Sequence, residues 1–177
     1  MAILGADAER LERLDAVYRL PQRYDGEAAL LGEPALEDRL GLDLASDLAS
    51  ILAASPRAEI LAPLAAGGHV DHRVVHRVAI ELARQGREVC FYEDFPYAAR
   101  PFAVDERRAA VGLDLEPVIL DIAATLDRKV AAVLAYASQI DALFGGVEPA
   151  RAAILAYAQA IGSGGHAERT WRVTGAG

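Results

Sequence analysis

Apolar residues recur at helical spacing in two stretches of the first half of the chain. The first, "DLASDLASILAA" from Asp43 to Ala54, places Leu and Ile on one helical face, and the proline of the following "SPR" is a residue through which a helix cannot easily continue. The second extends from Asp71 to Gln85 and closes at Gly86, a residue type that commonly ends helices. We therefore predict a helix in each stretch.

Short apolar runs flank the second of these helices. "AEILAPL" has the length of a strand and leads into the glycine-containing loop "AAGGH", while "REVCFYEDFPY" after the helix is rich in Val, Phe and Tyr. Strand, helix and strand in this order are typical of a βαβ crossover between parallel strands of a sheet that helices cover. The predicted fold class is therefore α/β.

The last third of the chain has a different pattern. "EPVILDIAATLDRKVAAVLAYASQIDALF" predicts one long helix, with Pro117 suited to its first turn and Gly145 and Gly146 after its end. "EPARAAILAYAQAIG" predicts a second helix, and "ERTWRV" predicts a short edge strand. No repeat or low-complexity linker divides the chain, so we expect a single domain over residues 1–177.

Composition and charge narrow the classes of function. Of 177 residues, 53% are apolar and 25% charged, as in globular proteins. A net charge of −8 provides no basic face for nucleic acid or an anionic membrane. No apolar run approaches the roughly 20 residues of a membrane span, and the N-terminus lacks the features of a signal peptide, so we predict a cytoplasmic location. Cys90, the single cysteine, is predicted to be buried and leaves no disulfide or cysteine-based zinc site.

Three of the four histidines fall within eight residues, directly after two glycines. His69 and His72 are three residues apart at the predicted start of a helix, and Asp71 stands between them. A carboxylate can fix the tautomer of one imidazole and leave its other nitrogen for a metal or a proton transfer. Loops that leave the carboxyl ends of strands also collect ligands in open α/β sheets. These are the parts of a metal-assisted hydrolytic site.

A purely structural interpretation stands beside this one. Asp71 could cap the helix, and the histidines could be ordinary polar residues of a loop and a half-exposed helix. His72 and His76 share the spacing of a helical zinc pair, but Arg73 occupies the position where that motif needs a glutamate, which excludes it. We expect His76 to be structural and assign no role to His166.

The segments "PLAAGGHVDHRVVHRVAIEL", "FYEDFPYA" and "KVAAVLAYASQIDALF" together resemble the PIG-L (LmbE-like) deacetylases, zinc-dependent hydrolases that remove N-acetyl groups from amino sugars and related conjugates. The resemblance implies a Rossmann-like fold, with a mostly parallel sheet and flanking helices. It also implies that His72 is a zinc ligand and that His69 is a general acid that stabilises the tetrahedral intermediate. Asp71 would hold the imidazole arrangement.

The chain departs from that family in one respect. The family carries a His-Pro-Asp-Asp or His-Leu-Asp-Asp stretch after its first strand, which supplies two more zinc ligands and the general base. Here the first histidine is His69 and no Asp-Asp pair occurs, so the remaining zinc ligands are absent from this chain. We expect a domain shortened at its N-terminus, upstream coding DNA that continues into such a stretch, and weak zinc binding with little activity for this chain alone.

Two hypotheses of different classes follow. The first is a zinc-dependent hydrolase that removes an N-acetyl group from an amino sugar or a related small amine conjugate. The alternative is a non-catalytic α/β binding module, or an inactive remnant of that family, and metal content separates the two. A helical interaction protein is disfavoured by the strand-like runs. The expected partner is a small N-acetylated molecule rather than nucleic acid or membrane, with self-association through an exposed sheet edge possible in addition.

Overall fold

The computed structural model describes residues 3–174, in which helices flank an open four-stranded sheet. The helices are α1 Ala16–Arg19, α2 Glu27–Leu30, α3 Leu40–Ala54, α4 Val70–Arg84, α5 Ala103–Val111, α6 Leu126–Leu134, α7 Ala137–Phe144 and α8 Val147–Ile161. The strands are β1 Ile60–Pro63, β2 Val89–Tyr92, β3 Asp114–Asp121 and β4 Ala167–Thr174, in the sheet order β1-β2-β4-β3. The α/β class predicted from the sequence is confirmed.

The predicted βαβ crossover is also confirmed. Strands β1 and β2 pair in parallel, with Ile60 opposite Val89 and Pro63 opposite Tyr92. Helix α4 connects them and packs on both strands. Its buried face follows the helical period, so apolar side chains meet the sheet while charged ones face solvent. The buried residues of the helix are Val70, Val74, His76, Val78, Ala79 and Ala83.

The segment before α3 contains two single-turn helices, although its sequence has a loop-like pattern. α3 itself begins at Leu40, three residues before the predicted start, and packs on α4. A small apolar cluster joins Ala16 and Tyr24 to Val70 at the beginning of α4. The N-terminal segment is therefore attached to the end of α4 that carries the histidines.

The single long helix predicted from Glu116 to Phe144 is wrong. Its first part is strand β3, and the remainder is two helices that break between Leu134 and Ala137. Pro117 suits the first turn of a helix and an edge strand equally, and β3 is an edge strand in the sheet order. The β-branched residues that follow the proline favour the strand.

The sequence predicted that "ERTWRV" forms an edge strand, and this prediction is wrong in its position. The segment is part of strand β4, which lies between β2 and β3 in the sheet. The predicted helix after Gly146 is confirmed as α8. Cys90 is buried and forms no disulfide, as predicted.

The chain divides into two compact units. One comprises Arg10–Pro117 and the end of β4 from Trp171, and the other comprises Val118–Thr170 and the N-terminal residues up to Glu9. Within residues 3–174, no helix is both long and apolar enough to cross a membrane.

Candidate active site at the start of α4

His69 and His72 lie side by side at the N-terminus of α4, where the chain leaves the carboxyl end of β1. Their ring centroids are 5.7 Å apart, with the ring planes tilted by 56°. His69 is the N-cap residue of the helix and His72 lies in its first turn. The structure therefore brings together the two imidazoles that the sequence placed three residues apart.

The turn before His69 has a tightly constrained backbone. Ala65 is buried and has a φ of 63°, a left-handed conformation that costs a non-glycine residue roughly 1–2 kcal/mol. A Cβ on Gly67 would lie 2.5 Å from Cγ of the Tyr97 ring, so only glycine fits there. Non-glycine residues in such conformations cluster at functional sites, where the surrounding structure holds them in place.

The tautomer of His69 follows from its capping bond. Nδ1 accepts a hydrogen bond from the backbone N–H of Asp71 at 3.3 Å, so the single proton of the neutral ring belongs on Nε2. Burial lowers the pKa of His69, an effect that the Asp71 carboxylate opposes and His72 reinforces. A neutral ring with an Nε2–H group is a hydrogen-bond donor suited to an oxygen that gains negative charge.

Asp94 supports His72 from the neighbouring strand. It follows β2 by two residues, and its side chain is 1% exposed. Its Oδ1 lies 2.6 Å from Nδ1 of His72, although the direction of the ring N–H departs from that of an ideal hydrogen bond. Its Oδ2 accepts a hydrogen bond from the N–H of Ala66 at 3.1 Å. One buried carboxylate thus contacts both the turn and an imidazole of the site.

The carboxylate of Asp71 is directed towards the N-terminal segment. Oδ1 accepts a hydrogen bond from Nη2 of Arg19 at 2.6 Å, and Oδ2 accepts one from the N–H of Ala16 at 3.0 Å. Arg19 also donates two hydrogen bonds to Asp38, and the hydroxyl of Tyr24 donates another. Burial alone would raise the pKa of Asp38, but the bonds from Arg19 and Tyr24 hold it below its usual value.

A cavity of about 410 Å³, partly open to solvent, lies beside the two histidines, and its size is within the range of small-molecule sites. Its wall combines carboxylates and imidazoles with small apolar side chains. The lining residues are Asp15, Ala16, Val17, Leu30, His69, Asp71 and His72.

His76 has the structural role that the sequence suggested. Its ring is completely buried against Phe91, and Nδ1 lies 2.9 Å from the carbonyl oxygen of Pro63. Because a carbonyl can only accept, Nδ1 carries the proton. Burial, reinforced by the charge of Arg107, lowers the pKa of His76 to about 4.

A catalytic zinc ordinarily takes three protein ligands. Within residues 3–174, no group of three or more His, Cys, Asp or Glu side chains is arranged to hold a metal ion. His72 offers one histidine ligand with a carboxylate behind it, which is the usual arrangement around a metal-bound histidine. The described residues therefore do not form a complete metal site.

Sequence reasoning did not single out Asp94 or Arg19 as residues of this site. For Asp94 a signal was available, since an aspartate two residues after a parallel strand lies near the sheet edge where ligands collect. Arg19 has no comparable signal, because it is 52 residues from Asp71 and carries no motif.

Known proteins with related sequences or folds are deacetylases. The chain is 36% identical over 121 residues to 2'-N-acetylparomamine deacetylase of Streptomyces fradiae, a match that covers 67% of this chain and 43% of that protein. The crystal structure of the zinc-inhibited form of teicoplanin deacetylase Orf2 matches with a TM-score of 0.65 and 25% identity, over 76% of this chain and 52% of that one. The A40926 pseudoaglycone deacetylase Dbv21 matches with a TM-score of 0.61 and 27% identity, over 76% and 57%.

These likenesses confirm the resemblance to the PIG-L (LmbE-like) deacetylases, to which this chain is related in both sequence and fold. No protein-family model matches the chain. The chain spans about half the length of the relatives it matches.

Proposed function

We propose that this chain carries part of the active site of a de-N-acetylase whose substrate is an N-acetylated amino sugar or a related small amine conjugate. The observation that carries the proposal is the pair His69 and His72, each held in place by a contact of its own, on the wall of a cavity of small-molecule size. The related acetylparomamine deacetylase supports the choice of an amino sugar.

His69 has the clearer chemical role. Hydrolysis of an amide places negative charge on the carbonyl oxygen as the tetrahedral intermediate forms, and a fixed N–H donor stabilises that charge. The Nε2–H group of His69 is such a donor, because its Nδ1 is occupied by the Asp71 N–H and burial keeps the ring neutral. The general-acid role that the resemblance implies for His69 is proposed as well, and it requires the ring to carry a second proton at the moment when the amine leaves.

His72 is the proposed metal ligand, and zinc is the metal that we propose for it. Two observations support this choice: imidazole is an ordinary zinc ligand, and a structural relative is described in a zinc-inhibited form. Bound zinc polarises a carbonyl and lowers the pKa of a bound water. Since the described residues form no complete metal site, we assign no step of the reaction to the metal.

Asp71 is proposed as the residue that maintains this arrangement. Its backbone N–H sets the orientation of His69, and its carboxylate accepts hydrogen bonds from Arg19 and from Ala16, which lines the cavity. Asp71 would therefore hold the ring of His69 through its backbone N–H and the cavity wall at Ala16 through its carboxylate.

A binding module without catalysis is the second candidate. The absence of a three-ligand metal group from residues 3–174 favours it. In that case the same cavity would bind the N-acetylated molecule, and no acetate would be released.

Acetate release from an N-acetylated amino sugar in the presence of added zinc tests the proposal. We expect slow release by the wild-type chain and loss of release in His72→Ala. His69→Ala should reduce release by about 10²-fold or more while zinc binding is retained. His166→Ala is the matched control and should behave as wild type. Sugar binding without any release would favour the binding module, and absence of both would contradict the two candidates together.

A further inference from the structure

Asp94 is a buried charged residue with two distinct contacts near the site. Its side chain is 1% exposed, and each carboxylate oxygen has its own neighbour. Oδ2 accepts from the N–H of Ala66 in the turn before α4, and Oδ1 lies 2.6 Å from Nδ1 of His72. A residue of the loop just after β2 therefore contacts both the turn that follows β1 and the first turn of α4.

The short distance determines where the proton of His72 lies. Nδ1 of His72 and Oδ1 of Asp94 are both buried, and within residues 3–174 neither makes a hydrogen bond of regular geometry, so their close approach is the polar contact that the structure gives each atom. An ionised carboxylate can only accept a hydrogen bond, and two bare acceptors 2.6 Å apart would repel one another. With Asp94 ionised, the proton between them lies on Nδ1. The lone pair of the neutral ring is then on Nε2.

The exposure of the ring agrees with this assignment. The side chain of His72 is 37% exposed although Nδ1 itself is buried, so the exposed part of the ring lies away from Asp94. His72 also lines the cavity. The nitrogen with the lone pair thus belongs to the part of the ring that Asp94 does not cover.

We propose that Asp94 is a positioning residue that selects the Nδ1–H tautomer of His72 and, through Ala66, fixes the turn that leads to His69. The loop after β2 would thereby orient His72 and the turn before His69, although both of these histidines belong to the segment between β1 and α4. The inference rests on the proposed function only in assigning a use to Nε2 of His72. The tautomer itself is independent of any activity.

The substitution Asp94→Asn separates this role from a structural one. The asparagine Oδ1 can still accept the bond from Ala66, which preserves the contact with the turn. Its amide group then faces His72 and donates, so Nδ1 must accept and the ring proton moves to Nε2. Glu93→Gln is the matched control, because it makes the same chemical change at the adjacent residue and keeps an acceptor for the indole N–H of Trp171, which lies 2.9 Å away.

The measurement is the ¹⁵N chemical shifts of the four histidine rings at a pH where all are neutral. We expect Nδ1–H for His72 in the wild type and in Glu93→Gln, and Nε2–H in Asp94→Asn. A wild-type ring with its proton on Nε2 would overturn the proposal even if the variant failed to fold. A folded Asp94→Asn chain that keeps Nδ1–H would overturn it as well.

Zinc affinity provides a second readout, which separates this proposal from the proposed function. Loss of an outer carboxylate typically weakens metal binding about 10- to 100-fold, so calorimetry should show that decrease in Asp94→Asn and none in Glu93→Gln. The His72→Ala variant gives the zinc affinity of a chain that lacks the proposed histidine ligand. A tautomer switch in a chain whose zinc binding does not depend on His72 would support the role of Asp94 and reject that of His72 as a ligand.

Discussion

Nη2 of Arg19 lies 2.6 Å from Oδ1 of Asp71, and this ion pair joins the N-terminal segment to the helix that carries the histidines. The same nitrogen lies 2.8 Å from Oδ2 of Asp38. Burial works against the charge of Arg19, but its hydrogen bonds to Asp38 and Asp71 outweigh that effect and raise its pKa. The guanidinium is therefore a fixed cation between two carboxylates.

Arg19→Met should destabilise the chain by about 3 kcal/mol, because it leaves the buried Asp38 carboxylate without its cation. The side chain of Asp38 is 0% exposed, so water cannot replace the lost partner. Urea unfolding followed by circular dichroism measures the change. Arg13→Met is the control, since Arg13 pairs with Asp47 on an exposed surface and its loss should change the midpoint little. Equal effects of the two substitutions would contradict the importance of the Arg19 contacts.

Gly67→Ala should distort the turn before His69, because the added Cβ would lie 2.5 Å from Cγ of Tyr97. Overpacking of this kind costs roughly 1–3 kcal/mol. The free energy of unfolding measures the cost, and the ring signals of His69 should shift in the same variant. Gly26→Ala is the control, as a Cβ added there would meet no atom within 4 Å and its φ of −164° suits any residue. A Gly67→Ala chain as stable as Gly26→Ala would contradict the packing described for this turn.

His76 should make the chain less stable in mild acid. Its pKa is about 4 in the folded chain and near 6.5 in the unfolded chain, so between these values the unfolded state binds more protons. Stability therefore rises as the pH increases from about 4 to 6.5, by on the order of 3 kcal/mol, and this contribution is constant above that window. The charged groups that act on the ring are Arg107, Asp94 and Arg77.

The measurement is the free energy of unfolding at several pH values for the wild type and His76→Gln. The difference between the two curves should change across the window from about pH 4 to 6.5. Parallel curves for His76→Gln and the wild type would show that His76 does not titrate as described.

His69 and His76 should have opposite tautomers. Nδ1 of His69 accepts from an N–H group, so its proton is on Nε2, whereas Nδ1 of His76 faces a carbonyl and keeps its proton. The ring ¹⁵N shifts report the two states directly. A proton on Nδ1 of His69 would contradict both its capping bond and its proposed role as a donor through Nε2.

The helix and strands whose hydrophobic pattern is clear along the chain could be predicted from the sequence. α4 and the strands on either side carry a clear period and end at glycine or proline, so their positions agree closely with the prediction. β3 was not predictable in this way, because Pro117 and the apolar residues after it suit a strand or a helix, and only pairing in the sheet decides.

In the candidate site, too, the contact between residues close in sequence was predictable and the contacts between distant residues were not. His69 and His72 are close in sequence, and a helical start was enough to bring their rings together. The contact of His72 with Asp94 depends on β1 and β2 being neighbours, and that of Asp71 with Arg19 depends on the packing of α1 against α4. Contacts between residues far apart in the chain have no local signal, which is why both partners were missed.

The central claim is that His69 and His72 bind one N-acetylated sugar in the cavity at the start of α4. Titration of the chain with N-acetylglucosamine, followed through the ring signals of all four histidines, tests it most directly. We predict that the signals of His69 and His72 shift together along a single binding curve, while those of His76 and His166 stay in place. Saturable binding that leaves His69 and His72 unchanged, or no binding at any concentration reached, would contradict the claim.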